Sequence, residues 1–171
     1  MAGVGYVPED RHLQGIFLDL PNAQTMTASV LNRLGRPFLS LRKESLFAKR
    51  YIDELRIKVF SGAQISRTLS GGNQQKVVLA KILAAEPTLV ILDEPTRGVD
   101  AQARQDVYRL INDFRSRGIS SILISSDLSE VIQESDRILV MHNGRVSAEL
   151  PGPEFDIERV TASAFGLEDK A

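Results

Sequence analysis

The chain has 171 residues, 43% apolar and 25% charged, a balance that suits a soluble globular domain large enough to bury a core. Its 21 Lys plus Arg against 22 Asp plus Glu leave a formal net charge of −1, without the basic excess of a general nucleic-acid binder. The absence of cysteine excludes disulfides and thiolate metal sites, and no apolar run approaches the ~20 residues that cross a bilayer.

Met1 to Asp10 lacks a basic segment followed by an apolar one, so no secretory leader is expected. Gly3-Val4-Gly5-Tyr6-Val7 predicts a short buried strand, broken by the polar Pro8-Glu9-Asp10-Arg11. Ile16–Leu20 is apolar but ends at Pro21-Asn22, which fits a loop or a short strand. Met26–Leu34 predicts a helix, with Thr25 or Thr27 as N-cap and Gly35 as stop. A clearer helix covers 43–57, where Leu46, Phe47, Tyr51, Ile52 and Leu55 recur at helical spacing between charges expected to face solvent. After a loop over 58–67, residues 72–85 predict a helix with Val77, Val78, Ala80, Lys81 and Leu83 in its middle.

Leu89-Val90-Ile91-Leu92 is the kind of unalternating run that suits a strand buried on both faces, and Asp93-Glu94-Pro95 closes it. A long amphipathic helix follows over 101–117, carrying Val107, Leu110, Ile111 and Phe114 and stopped by Gly118. Ile119–Ile124 predicts the next buried strand, with a helix around 128–134 after it. Arg137–Met141 and Arg145–Glu149 flank His142-Asn143-Gly144, a hairpin signal. Pro151-Gly152-Pro153 precedes a last short helix near 157–165. The alternation indicates a parallel α/β sheet with an antiparallel hairpin added late, and the helices between 26 and 85 read as a subdomain inserted between two strands.

Two motifs carry chemistry. Leu69-Ser70-Gly71-Gly72-Asn73-Gln74-Gln75-Lys76 places a hydroxyl and two glycines at the mouth of a helix. There, bare backbone N–H groups at the positive end of the dipole suit an anion such as a phosphate. The simpler reading makes Ser70 an ordinary N-cap. Leu89–Glu94 is a hydrophobic strand ending in two acids, at the strand end where open α/β sheets bind ligands. In that setting Asp93 suits a Mg²⁺ ion and Glu94 suits a general base toward water. The simpler reading has these acids cap the helix at Ala101 or pair with Arg97.

Taken together, these segments resemble ATP-binding-cassette (ABC) ATPases. Leu69–Lys76 is similar to their signature motif, Leu89–Glu94 to their Walker B strand, and Gly98-Val99-Asp100 to their D-loop. Asn73, the run Asp93–Asp100, Pro8-Glu9-Asp10-Arg11 with Gly15, and Ser125-Ser126-Asp127-Leu128 resemble the second cassette of carbohydrate importers that carry two cassettes in one chain. The likeness extends over essentially all 171 residues. DNA-repair and translation-factor cassettes fit less well, given the near-neutral charge and Asn73.

The resemblance implies a partial P-loop NTPase core: 1–24 as a sheet strand and Q-loop region, and 25–86 as a helical subdomain with the signature. The core would continue over 87–150 with Walker B, D-loop and H-loop positions, and 151–171 would be a tail helix. It also implies ATP and Mg²⁺ as ligands and ATP hydrolysis driving uptake of a sugar or sugar-like solute such as autoinducer-2. Glu94 would be the catalytic base and Asp93 the metal ligand. Ser70, Gly71, Gly72 and Asn73 would meet an ATP held by a second cassette, and Asp100 would stand in the D-loop. The implied partners are that second cassette, transmembrane permease subunits and, indirectly, a periplasmic solute-binding protein, at the cytoplasmic face of the inner membrane. No nucleic acid is implied.

The chain also departs from the family pattern. It contains no G-x-x-x-x-G-K-[ST] phosphate loop, which the family places upstream of the Tyr6-Val7 strand. On that reading this is the C-terminal part of a cassette, inactive alone or donating its signature in trans. Its Tyr6–Val7 and Leu89–Leu92 strands would then have unpaired edges and exposed apolar faces. Glu9 fills the Q-loop glutamine position, and Ser126 fills the H-loop histidine position, where it lacks imidazole's proton chemistry. His12 and His142 are expected to be surface residues.

Overall fold

The computed structural model describes residues 3–35, 38–152 and 157–167. The chain divides into two compact units, Met1–Ile124 and Ser125–Ala171.

The first unit is built on a parallel sheet of β1 (Val4–Val7), β2 (Leu89–Asp93) and β3 (Ser120–Ile124), in the order β1-β2-β3. Val7, Leu92 and Leu123 share one row of the register, and Tyr6, Ile91 and Ile122 share the row before it. Side chains alternate across a sheet, so Val7, Val90 and Leu92 point into the core while Val4, Tyr6, Ile122 and Ile124 stand about half exposed on the other face. The expectation of strands buried on both faces is therefore corrected. The run of β2 looks continuous because apolar residues occupy both of its faces, yet among the described residues the helices of this unit cover only one. β2 is also the central strand, paired on both sides, so the unpaired edges belong to β1 and β3 among the described residues.

Between β1 and β2 lies the helical part: α1 (Asn22–Thr27), α2 (Leu31–Leu34), α3 (Leu41–Glu54) and α4 (Gly71–Leu83). The segment expected to be a plain loop after β1 instead closes into one wide helical turn, Arg11–Gly15, which Asp10 caps by accepting from the N–H groups of His12 and Leu13. α1 starts earlier than predicted. Pro21, at φ −54°, leads directly into it without a side-chain cap. Thr25 and Thr27 are buried within the helix rather than capping it. Thr27 Oγ1 donates to Ala23 O at 2.8 Å and to Glu44 Oε1 at 3.0 Å. Glu44 is thus a buried charge on a helix whose charges were expected in solvent. The hydroxyl offsets part of its desolvation.

α4 is the centre of the unit. Its residues Gln74–Ala80 are buried, and Val77–Ala80 pack with Met26 of α1, Tyr51 of α3, Val90 and Leu92 of β2 and Phe114 of α5 (Ala101–Ser116) in one cluster.

In the second unit, α6 (Leu128–Glu134) is capped by Asp127, and β4 (Arg137–His142) pairs antiparallel with β5 (Arg145–Pro151). Asn143 and Gly144 take φ of 48° and 74°, as the predicted hairpin turn requires. α7 (Ile157–Ala164) completes a small core of Ile138, Val140, Leu150 and Val160. Pro153 of the predicted breaker lies outside the described residues. No helix among the described residues is long and apolar enough to cross a membrane.

Candidate functional site

The carboxyl ends of β1 and β2 and the first turn of α4 carry most of the residues singled out by sequence. Ser70 occupies the N-cap position of α4, at φ −64° and ψ 155°, but its side chain caps no backbone group. Its hydroxyl instead accepts from Asn73 Nδ2 at 2.9 Å. Asn73 Oδ1 in turn accepts from the Lys58 N–H at 2.8 Å, which anchors the turn. The first intrahelical bond runs from Gln74 N to Ser70 O. The N–H groups of Gly71, Gly72 and Asn73 therefore have no intrahelical acceptor, as at any helix start. Of the two sequence readings of Ser70, the side-chain cap is not formed.

Gly71 and Gly72 have a reason within this chain to be glycine. A Cβ on Gly72 would sit 2.3 Å from Ala103 Cβ of α5, and one on Gly71 would sit 2.9 Å from Arg11 Nη2 and 3.1 Å from Gly98 O. The first turn of α4 is thus pressed against α5 and the loop before it. Sequence reasoning assigned these glycines to anion approach and gave no sign of this packing.

Asp93 ends β2, and Tyr6 Oη donates to its Oδ2 at 2.8 Å. Tyr6 pairs in register with Ile91, two residues before Asp93 on the same face, so a phenol is long enough to make the diagonal reach. The bond to the carboxylate, with a smaller contribution from burial, pushes the Tyr6 hydroxyl above the usual tyrosine range. Glu94 follows in a left-handed conformation, φ 45°, its N–H donating to Ile124 O at 2.9 Å and its carbonyl accepting from Arg97 N. A non-glycine residue held there stores strain, a feature concentrated at functional sites.

Glu9 forms an ion pair with Arg97. Arg11 Nη1 donates to Arg97 O at 2.9 Å and Nη2 to Gly98 O at 3.4 Å. Asp100 caps α5 by accepting from Ala103 N at 2.9 Å. The structure therefore gathers Glu9, Gly71 and the 97–100 loop around Arg11, which sequence reading did not single out as a site residue. Only the topology reveals it, because its partners lie 86 and 87 residues away. His12 is exposed, as expected, and its Nε2–H donates to the buried Gln74 Oε1 at 2.9 Å. Ser126 lies in the second unit, one residue before the cap of α6.

No group of three or more His, Cys, Asp or Glu among the described residues could by itself hold a metal. Asp93 as a lone carboxylate with one oxygen engaged by Tyr6 fits Mg²⁺, which takes one or two carboxylates and completes its shell with water and phosphate oxygens.

The model of the ABC transporter family matches residues 2–97, more than half of the chain. The chain is 46% identical over 166 residues to the autoinducer 2 import ATP-binding protein LsrA of Enterobacter sp. (strain 638), covering 96% of this chain and 32% of that protein. It is 44% identical over 168 residues to the ribose import ATP-binding protein RbsA of Caldanaerobacter subterraneus subsp. tengcongensis, covering 97% of this chain and 34% of that one. It thus spans about a third of the length of the curated relatives it matches. Among solved structures, CbiO1 of Clostridium perfringens, part of the ABC transporter complex CbiONQ, superposes with a TM-score of 0.74 at 23% identity, covering 98% of this chain and 64% of that chain. The parallel sheet with its helices and late hairpin is thus the ABC ATPase fold, and the chain belongs to the ABC transporter family.

Proposed function

We propose that the chain is the signature- and Walker B-bearing part of a cassette that couples ATP hydrolysis to import of a sugar or sugar-like solute. The observation that carries this reading is the first turn of α4, where Ser70 turns its hydroxyl to Asn73 and leaves three backbone N–H groups without an intrahelical acceptor. Such a turn binds the terminal phosphate of an ATP presented by a second cassette. The printed functions of the relatives, ribose and autoinducer 2 import, support a sugar-like solute.

Asp93 and Glu94 serve a different nucleotide, on the cassette to which β2 belongs. Mg²⁺ bound with that nucleotide supplies charge neutralisation at the phosphates. Tyr6 orients the Asp93 carboxylate by holding Oδ2, and Glu94 accepts a proton from the attacking water as general base. On this reading Ser70–Asn73 act in trans, on a nucleotide held by the other cassette.

The purified chain is mixed with its cognate intact cassette and phosphate release from MgATP is followed. Stimulation over the cassette alone, lost in Ser70→Arg, is expected, with no turnover by the chain alone. Unchanged rates with and without the chain sink the reading.

A further inference from the structure

The loop that holds Gly98 and Asp100 makes no regular secondary structure, yet it stands at a fixed place against α4. Arg11 supplies two of the contacts that hold it. The planar guanidinium donates to two successive carbonyls, Arg97 O at 2.9 Å and Gly98 O at 3.4 Å, while Glu9 pairs with the Arg97 side chain from the same turn. The guanidinium also lies over Gly71, where a Cβ would come 2.9 Å from Nη2 and 3.1 Å from Gly98 O. Arg11 itself is held from behind, because Asp10 caps the turn that Arg11 opens. Its Nε is buried with no hydrogen-bond partner among the described residues, and burial lowers its basicity. A cation half-buried beside a helix N-terminus is also poorly placed against the dipole. This combination is costly for stability alone, which points to geometry as its use.

We propose that Arg11 is a positioning residue of the signature site: it joins the 97–100 loop to the first turn of α4 so that Asp100 and Ser70–Asn73 reach a partner's nucleotide as one rigid unit. The inference rests on the trans reading of the signature given above. Lysine cannot replace arginine in this role, since a single ammonium lacks the planar fork that spans two carbonyls.

The test uses the chain assembled with its cognate intact cassette and MgATP as substrate. Arg11→Ala is expected to lower kcat by about tenfold or more while KM for ATP stays within about twofold, because misplacement is felt in the closed, reacting state. Arg11→Lys is expected to remain impaired. Gly71→Ala, whose methyl would crowd both Arg11 Nη2 and Gly98 O, is expected to be impaired as well. Wild-type kcat in Arg11→Lys, or in folded Arg11→Ala, overturns the role of Arg11 while loss of turnover in Ser70→Arg leaves the trans reading intact. Full turnover in Ser70→Arg overturns the trans reading, and the role of Arg11 with it.

Discussion

The Tyr6 hydroxyl donates a 2.8 Å hydrogen bond to Asp93 Oδ2, joining two strands that lie 87 residues apart in sequence. The carboxylate acceptor raises the tyrosine's pKa in the folded chain, so the bond's contribution is present at neutral pH, below the ordinary tyrosine pKa of ~10, and is lost as pH rises through the raised folded value. The phenolate absorbance of wild type minus that of Tyr6→Phe isolates this one of three tyrosines. Its midpoint is expected above that of a free tyrosine and is expected to fall back in Asp93→Ala. A midpoint indifferent to Asp93→Ala would contradict the assignment.

Glu94 holds φ at 45°, where a side chain costs roughly 1–2 kcal/mol relative to glycine. Comparing Glu94→Gly with Glu94→Ala removes the carboxylate in both and leaves the backbone difference. Urea unfolding is expected to find the glycine variant more stable by about 1 kcal/mol, the reverse of the order in an ordinary helix. Equal midpoints would mean that the left-handed conformation is absent in solution.

The 2.3 Å clearance between a Gly72 Cβ and Ala103 leaves no space for a methyl group. Gly72→Ala is expected to destabilise the fold by about 1–3 kcal/mol through overpacking. Introducing Ala103→Gly in the same chain is expected to restore part of that loss, as thermal unfolding of the single and double variants will report.

Lys76 is nearly buried, its Nζ 2.7 Å from Asp106 Oδ2 and 3.4 Å from Arg56 O. The lysine's hydrogen bond, opposed by partial burial, holds the Asp106 carboxyl below its ordinary range. Lys76→Met leaves a carboxylate that still reaches solvent, so its cost is expected at about 1–3 kcal/mol, below that of breaking a fully buried pair. The depressed folded pKa means that this stabilisation is present above the ordinary Asp value of ~3.9 and disappears as pH falls through the folded value. The stability gap between wild type and Lys76→Met is therefore expected to be open at pH 7 and to narrow in acid.

Elements with a strong periodic signal were legible in the sequence. The Leu89–Leu92 run, the apolar stripe of Val107, Leu110, Ile111 and Phe114, and the Asn143-Gly144 turn all stand where they were read. α1 was misjudged because threonine is a good cap in isolation, whereas here Pro21 makes the entry and Thr27 is needed inside for Glu44. The candidate site was legible only as separate motifs. What binds them, Tyr6 to Asp93 and Arg11 to Arg97 and Gly98, depends on strand order and register, and no local spacing encodes those. The glycines at 71 and 72 had a visible pattern, but the packing against Arg11, Gly98 and Ala103 emerges only once α4 and α5 meet.

The half-exposed apolar face of Val4, Tyr6, Ile122 and Ile124 bears on how this chain is best handled in a test tube. Water-structuring salts such as ammonium sulfate strengthen apolar association, so they will drive these molecules together face to face. Low-salt buffers and dilute handling will keep them apart, and an environment-sensitive dye will light up on this surface before any unfolding begins.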